Sequence, residues 1–304
     1  MEVMIKGETL ENDIVQKCIY NDYSGGRADS LELVINDSDY VWRNSGLKKG
    51  VAISSTSDLV STGEMFISSI GYENKKCILK ALSTPPEALN QKSYIRRKIT
   101  TEELIKEVAN ELNLQSKLFE ITSYTYDTIE RTQETATSFL NRILELEGYL
   151  LKIFDRSLIV YPEKVFENNV PVIDITEDDF VHSPTFSTSD GKIVSSVENR
   201  YMDSELIYTK VESGLPGMSI KKNIPVSSMI ESERFCRNIL RMYNKNEYVG
   251  SGKVSNQAIN AGDVINLVGS YGLFGGSNFV FKVTHNMLKD TSAIYFRKPL
   301  EGDY

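Results

Sequence analysis

The chain has 304 residues, 40% of them hydrophobic and 25% charged, which suits two or three folded domains and excludes the polar, highly charged composition of a disordered chain. A formal net charge of −8 and a pI near 5.1 argue against a general binder of nucleic acid or anionic membrane. No apolar run reaches the roughly 20 residues of a membrane span, and the opening MEVMIKGETLENDI has early acids and no apolar core, so neither a membrane partner nor a secretory signal is expected.

Residues 1 to about 90 read as β. Alternating stretches occur at Glu2–Lys6, Ile14–Tyr20, Leu31–Ile35, Val51–Ser54, Met65–Ile70 and Ile78–Leu82, separated by turn clusters such as NDYSGG and STGE. Pro85-Pro86 ends the run, because proline cannot donate to a ladder. From Thr100 the pattern turns helical. Thr100 and Glu103 form a capping box, and Leu104, Ile105, Val108, Ala109 and Leu112 share one face. A second helix is predicted from near Thr132, with Ala136, Phe139, Leu140, Ile143 and Leu144 on one side and Gly148 as its C-terminal stop. YLLKIFDRSLIVYP then reads as a hairpin turning at Asp155-Arg156.

The last part returns to β at Lys192–Val197 and Glu205–Val211. One helix at about 227–247 interrupts it, opened by a Ser228/Glu231 capping box and carrying Phe235, Cys236, Ile239, Leu240 and Tyr243. The expected division is 1–95, mostly β; 96–165, a small α/β unit; and 166–304, β with an inserted helix. KGVAISSTSDLVSTGEMFISSIGYENKKCILKAL and AGDVINLVGSYGLFGGSNFVFKVTHNMLKDTSAIYFRKP share a spacing: Gly50 and Gly63 stand as far apart as Gly262 and Gly275, and a strand, a polar turn and a strand follow each second glycine. The match is either an internal duplication or the chance likeness of two hairpins.

The search for chemistry returns no catalytic, cofactor or metal set. Asp37-Ser38-Asp39 lacks the oxygen ligands and sixth-position glycine of a calcium loop, so an Asx-type turn closing a strand is expected, with Trp42 pinning the loop. The acidic run Asp174, Glu177, Asp178 and Asp179 has no distal glutamate either. His182 and His285 are the only histidines and belong to no HExxH or Cys/His cluster. The glycines around Gly269–Gly276 precede a strand and not a helix, which argues for a turn and against a phosphate cradle. Lys92, Arg96, Arg97 and Lys98 form a basic cluster without a stacking platform, which suits a solvated face or an acidic protein partner. Cys18, Cys77 and Cys236 read as small buried hydrophobes of a chain made in a reducing cytoplasm.

Four segments then carry a resemblance. ADSLELVINDSDYVW with GLKKG, KSYIRRKITTEELIKEVANELNL, ETATSFLNRILELEGYLLKIFDRSLIVYPE and AGDVINLVGSYGLFGGSNFVFKVTHNM together resemble the phage late control gene D family, the baseplate hubs of contractile tails and tail-like bacteriocins. The compact length looks closest to hubs of PBSX-like defective prophages and R-type bacteriocins (tailocins). The resemblance implies a β-dominated mixed α+β fold, two tail-tube-like β-barrel domains flanking a small α/β domain. It implies a structural protein of the virion or particle, not an enzyme. The local patterns themselves put Trp42, Gly50, Gly63, Gly148, Gly262 and Gly275 in structural roles. The resemblance further implies a homotrimer forming a pseudo-sixfold ring between a tail-tube protein ring and a central spike protein, with tape measure and baseplate wedge proteins as further partners. Such a protein, made in the bacterial cytoplasm, assembles into a baseplate released by lysis. No residues are left for an appended lysozyme or peptidase module.

Two other classes compete. A cell-wall hydrolase would need a carboxylate pair among Asp174, Glu177, Asp178 and Asp179. A β-type carbohydrate-binding adhesin would present Trp42 and exposed tyrosines.

Overall fold

A computed structural model describes residues 1–188, 193–202 and 205–300; Lys192, at the head of one predicted strand, lies outside them. The first part contains β1 (Glu2–Ile5), β2 (Glu8–Thr9), β3 (Val15–Tyr23), β4 (Ser30–Asn36), the short α1 (Val41–Asn44), β5 (Ala52–Thr56), β6 (Met65–Glu73) and β7 (Lys76–Leu82). The middle part has β8 (Gln91–Thr100), α2 (Thr101–Glu111), β9 (Gln115–Leu118), β10 (Thr125–Thr135), α3 (Ala136–Leu146), β11 (Tyr149–Phe154), β12 (Ser157–Pro162) and α4 (Glu163–Phe166). The last part has β13 (Ile173–Ile175), β14 (Phe180–Thr188), β15 (Val194–Met202), β16 (Leu206–Glu212), β17 (Met218–Lys222), α5 (Met229–Asn244), β18 (Tyr248–Ser255), β19 (Val264–Leu267), β20 (Gly276–Asn286) and β21 (Thr291–Arg297). The fold is β-dominated, as the alternating patterns require.

Most strands join one large sheet, in the order β14-β18-β21-β20-β3-β4-β7-β6-β5-β1-β2, with β19 beside β20 and β13 beside β19. It curls around two separate cores. Leu31, Leu33, Ile35, Met65, Ile67 and Leu79 fill one; Ile265, Val280, Val283, Ile294 and Phe296 fill the other. Each ladder stays open: among the described residues no strand pair joins β3 to β1 or β14 to β13.

Several ladders of the two halves repeat each other in register. In the first, Phe66 faces Leu82, Ile67 faces Ala81, the register slips by one residue, and Ser69 to Glu73 face Lys80 to Lys76. In the second, Phe279 faces Arg297, Val280 faces Phe296, the register slips at the same place, and Lys282 to Asn286 face Tyr295 to Thr291. The next ladders also agree: Ser30 to Asn36 face Leu82 to Lys76, and Val249 to Ser255 face Arg297 to Thr291. The bulge after Val15 in β3 recurs after Phe180 in β14. A bulge is one extra residue that bends and twists its strand, so bulges at matched positions bend the two halves at matching places; β14 has a further irregularity between His182 and Thr185 that β3 lacks.

The glycine spacing noted in the sequence has a backbone cause. Gly50 and Gly262 both have positive φ, +82° and +104°. Gly50 N–H donates to the Ile67 carbonyl, and Ile67 N–H donates to Val51. Gly262 N–H donates to the Val280 carbonyl, and Val280 N–H donates to Asp263. That conformation is open to glycine at no steric cost. The second spacing is off by one residue. Gly275 is extended at φ −63°, and Gly276, φ +81°, stands where Gly63, φ +60°, stands in the first half.

The middle part adds three strands to the predicted helices and hairpin: β8, which crosses the expected boundary at 95/96, its partner β10, and β9, which runs parallel to β12. The second helix begins at Ala136 and not near Thr132, because residues 125–135 continue as a strand paired with β8 and Thr135 caps the helix by accepting from Ser138 N–H. The Thr100/Glu103 box forms as expected. At α5 the cap is Ser228, but the Glu231 carboxylate accepts from Ser227 instead, one residue earlier. The β15–β17 sheet and α5 form a layer of their own, with α5 packed on α3.

Candidate assembly site

The surfaces that join the parts carry most of the buried charge. β3 and β20 pair antiparallel, Ile19 to Tyr23 facing Asn286 to Lys282, and this ladder fuses the two halves. Two further backbone bonds extend it: Ser24 N–H donates to Phe281 and Met287 N–H to Cys18. On one face the Tyr20 and His285 rings stack at 5.8 Å and 14°. On the other, Thr284 Oγ1 donates to Asn21 Oδ1 at 2.9 Å.

Asp22, at the end of β3, is the point where three parts meet. Its carboxylate pairs with Lys152 Nζ of β11 and accepts from Ala261 N–H, next to Gly262, at 2.7 Å. Lys152 also reaches Asp29 at 3.2 Å and the Tyr23 carbonyl at 2.7 Å. Burial pulls Lys152 down, yet Asp22 and Asp29 outweigh it and hold the ammonium above its usual range. Burial raises Asp29 to about 6, with Asp22 adding to the rise and Lys152 opposing it. Burial lowers His285 to about 4, because its Nδ1 meets Ser292 Oγ while Nε2 has no partner for a second proton.

A second charged cluster ties α4, α5 and β21. Glu167 meets Arg241 and, at 2.6 Å, Arg297; Glu163 meets Lys245 at 2.8 Å and Arg297 at 3.1 Å. Burial pushes Glu163 up, but the adjacent cations hold it below the usual carboxylate range. These ionic joints were invisible in sequence, since their members lie far apart along the chain.

The residues singled out from sequence fall into place around these joints. Asp37 is buried and accepts from Trp42 N–H at 2.8 Å and Arg43 N–H at 3.2 Å, closing the strand as a turn. Trp42 lies half-buried against the first core, and its carbonyl accepts from Tyr72 Oη. A Cβ on Gly63 would come within 2.8 Å of Asp155, where the middle hairpin docks on the first half. At Gly148, φ +76°, a Cβ would sit 2.7 Å from Asn238 of α5. In the acidic run, two carboxylates are engaged in local hydrogen bonds. Asp174 accepts from Asn266, and Asp179 caps Thr176, whose amide and hydroxyl hold it below its usual range. In the basic cluster, Arg96 pairs with Glu107 and Lys92 with Glu111 at 3.3 Å. The three cysteines are buried and free.

No family model and no curated protein matches the sequence. Solved structures do match it. The 43 kDa tail protein of prophage MuSo2 from Shewanella oneidensis aligns over 98% of both chains at 11% identity and a TM-score of 0.78. The tail protein from Neisseria meningitidis MC58 aligns over 98% of this chain and 95% of its own, at 11% identity and a TM-score of 0.77. An E. coli component of the type VI secretion system, described as structurally similar to T4 bacteriophage tail proteins, aligns over 100% of this chain and 78% of its own, at 9% identity and a TM-score of 0.67. At such identities the likeness is one of fold, and the fold of this chain is that of phage tail proteins.

Proposed function

We propose that the chain is a structural baseplate hub of a contractile tail or tail-like bacteriocin. Three copies close a pseudo-sixfold ring that joins the tail tube to the central spike. The repeated register carries this reading: one chain offers two near-equivalent curled sheets, so three chains offer six positions. Six positions match a hexameric tube ring on one face, and three chains match a trimeric spike on the other. In this reading residues 1–95 and 166–304 supply the tube-like units, residues 96–165 brace them from outside, and a tape measure and wedge proteins are further neighbours. The fold shared with prophage tail proteins and a type VI secretion component supports the same role.

Light scattering of the purified chain, alone and with its tube and spike proteins, tests the proposal. The expected particle contains three chains, near 103 kDa from a chain mass of 34.3 kDa. A strict monomer at every concentration and with every partner refutes it.

A further inference from the structure

The repeated register leaves one pairing occupied and its counterpart open. In the first half the edge strand β3 is covered by Lys282–Asn286 of β20. The matching bulges make β14 the counterpart of β3, and Ser69–Glu73 of β6 the counterpart of Lys282–Asn286. Among the described residues neither has a strand on that side: β14 ends the sheet, paired with β18, and β6 meets β5 at Met65 and Phe66 alone. The two lie on opposite sides of the β3–β20 junction, so they face away from each other in sheet order.

We infer that β14 of one copy pairs antiparallel with β6 of a second copy, in the register of the internal junction. Thr185, Phe186, Ser187 and Thr188 then face Glu73, Tyr72, Gly71 and Ile70. This deepens the proposed ring, and rests on it, by naming the edge that closes it. The contact is heterologous, so it recurs from copy to copy until the ring closes.

The side chains on both edges suit this occupant. Ser68, Ser69, Tyr72 and Glu73 are exposed on β6, as are His182, Ser183, Thr185, Ser187 and Thr188 on β14. Unpaired backbone groups along such edges are a ready template for another strand. Glu73 is the only acid or base in the paired stretches, so no like charges oppose each other. The aromatic stack is matched: Tyr20 and His285 of the internal junction become Phe186 and Tyr72. Asn21 and Thr284, whose side chains touch, become Ser187 and Gly71, which are small enough to meet. Pro184 falls in the irregular stretch between His182 and Thr185, so regular pairing begins at Thr185.

A disulfide tests the register. Directly opposed residues of an antiparallel pair lie about 4.5–5.5 Å apart at Cα, within disulfide reach. Gly71→Cys/Ser187→Cys, made in the full chain and mildly oxidised, is expected to give linked dimers and trimers without reductant. Each single variant is expected to give none, since the native cysteines are buried. A second variant, Thr188→Pro, removes one donor from the free edge. Across the internal junction Cys18 and Ser24 turn their backbone groups to β20, and with alternation so do Tyr20 and Asp22. Thr188 corresponds to Asp22, so its N–H points outward. Thr188→Pro is expected to leave the melting temperature unchanged and weaken self-association about tenfold, the scale of one backbone hydrogen bond. A trimer by light scattering that gives no double-cysteine link and is indifferent to Thr188→Pro overturns the edge assignment while leaving the ring standing. A strict monomer that never links overturns both.

Discussion

His285 offers the sharpest test of how the two halves are fused. Its ring is 3% exposed, stacked on Tyr20, bonded through Nδ1 to Ser292 and without a partner at Nε2. A second proton would have no acceptor, so the folded state favours neutral imidazole and its pKa falls from 6.5 to about 4. At 1.36 kcal/mol per unit that difference is about 3 kcal/mol. The folded value is depressed, so this stability is complete above pH 6.5 and is lost as pH falls toward 4. Asp29 runs the other way. Its pKa rises from 3.8 to about 6, so its contribution, also about 3 kcal/mol, is complete below pH 3.8 and is lost as pH rises through 6. Between pH 4 and 6 the two nearly cancel in the parent. Asp29→Asn is expected to expose the histidine limb, with stability relative to the parent falling by about 3 kcal/mol from pH 6 to pH 4. His285→Asn is expected to reverse that slope. Urea unfolding at pH 4, 5, 6 and 7 reads both, and the two histidines of the chain give two imidazole Cε1–H signals to follow directly. A His285 signal titrating near 6.5, or parallel pH profiles for both variants and parent, would refute the reasoning.

Two other substitutions probe the joints. Glu167→Ala leaves Arg241 and Arg297 facing each other in a buried site, and a loss of about 3–5 kcal/mol is expected by calorimetry, because breaking a buried pair strands its partner charge. Gly148→Ala meets both a positive φ and Asn238 at 2.7 Å, so a loss of at least about 1 kcal/mol is expected, with faster amide exchange at the α3–α5 contact.

Where local backbone demands are strong, the sequence was legible. The Thr100/Glu103 box, the Asp155-Arg156 hairpin, whose turn residues both have positive φ, and the paired Gly50 and Gly262 follow from rules that act within a few residues. The β8–β10 ribbon was not. TYDTIERTQET carries a bulge between Arg131 and Glu134 and buries little, so its alternation is broken and its end merges with the helical pattern. The charged joints were illegible for another reason. Asp22 with Lys152, and Glu167 with Arg241 and Arg297, look like ordinary surface charges until the fold buries them together.

The repeated ladders show how register can match where identity does not. Backbone bonds and bulges depend on the ladder, whereas the core depends only on total volume, so large and small residues can trade places across facing strands. Leu31 and Leu33 of β4 correspond to Gly250 and Gly252 of β18, and the space is refilled from neighbouring strands. Ala81 corresponds to Phe296 and Val15 to Phe180. A Cβ on Gly250 would lie 2.3 Å from the Phe296 ring, and one on Gly252 would lie 2.2 Å from Phe180. The same freedom separates the two edges. At the tethered β3–β20 junction the chain itself holds the strands together, so buried groups such as Asp22 and His285 are tolerated and matched by Lys152, Ala261 and Ser292. An edge that must stay soluble before it meets another copy cannot carry unmatched charge of that kind. β14 presents Thr185, Ser187 and Thr188, and β6 presents Ser68 and Ser69, small neutral groups that water can satisfy until a strand replaces it, and the one charge of the paired stretches, Glu73, stands at the end of its strand.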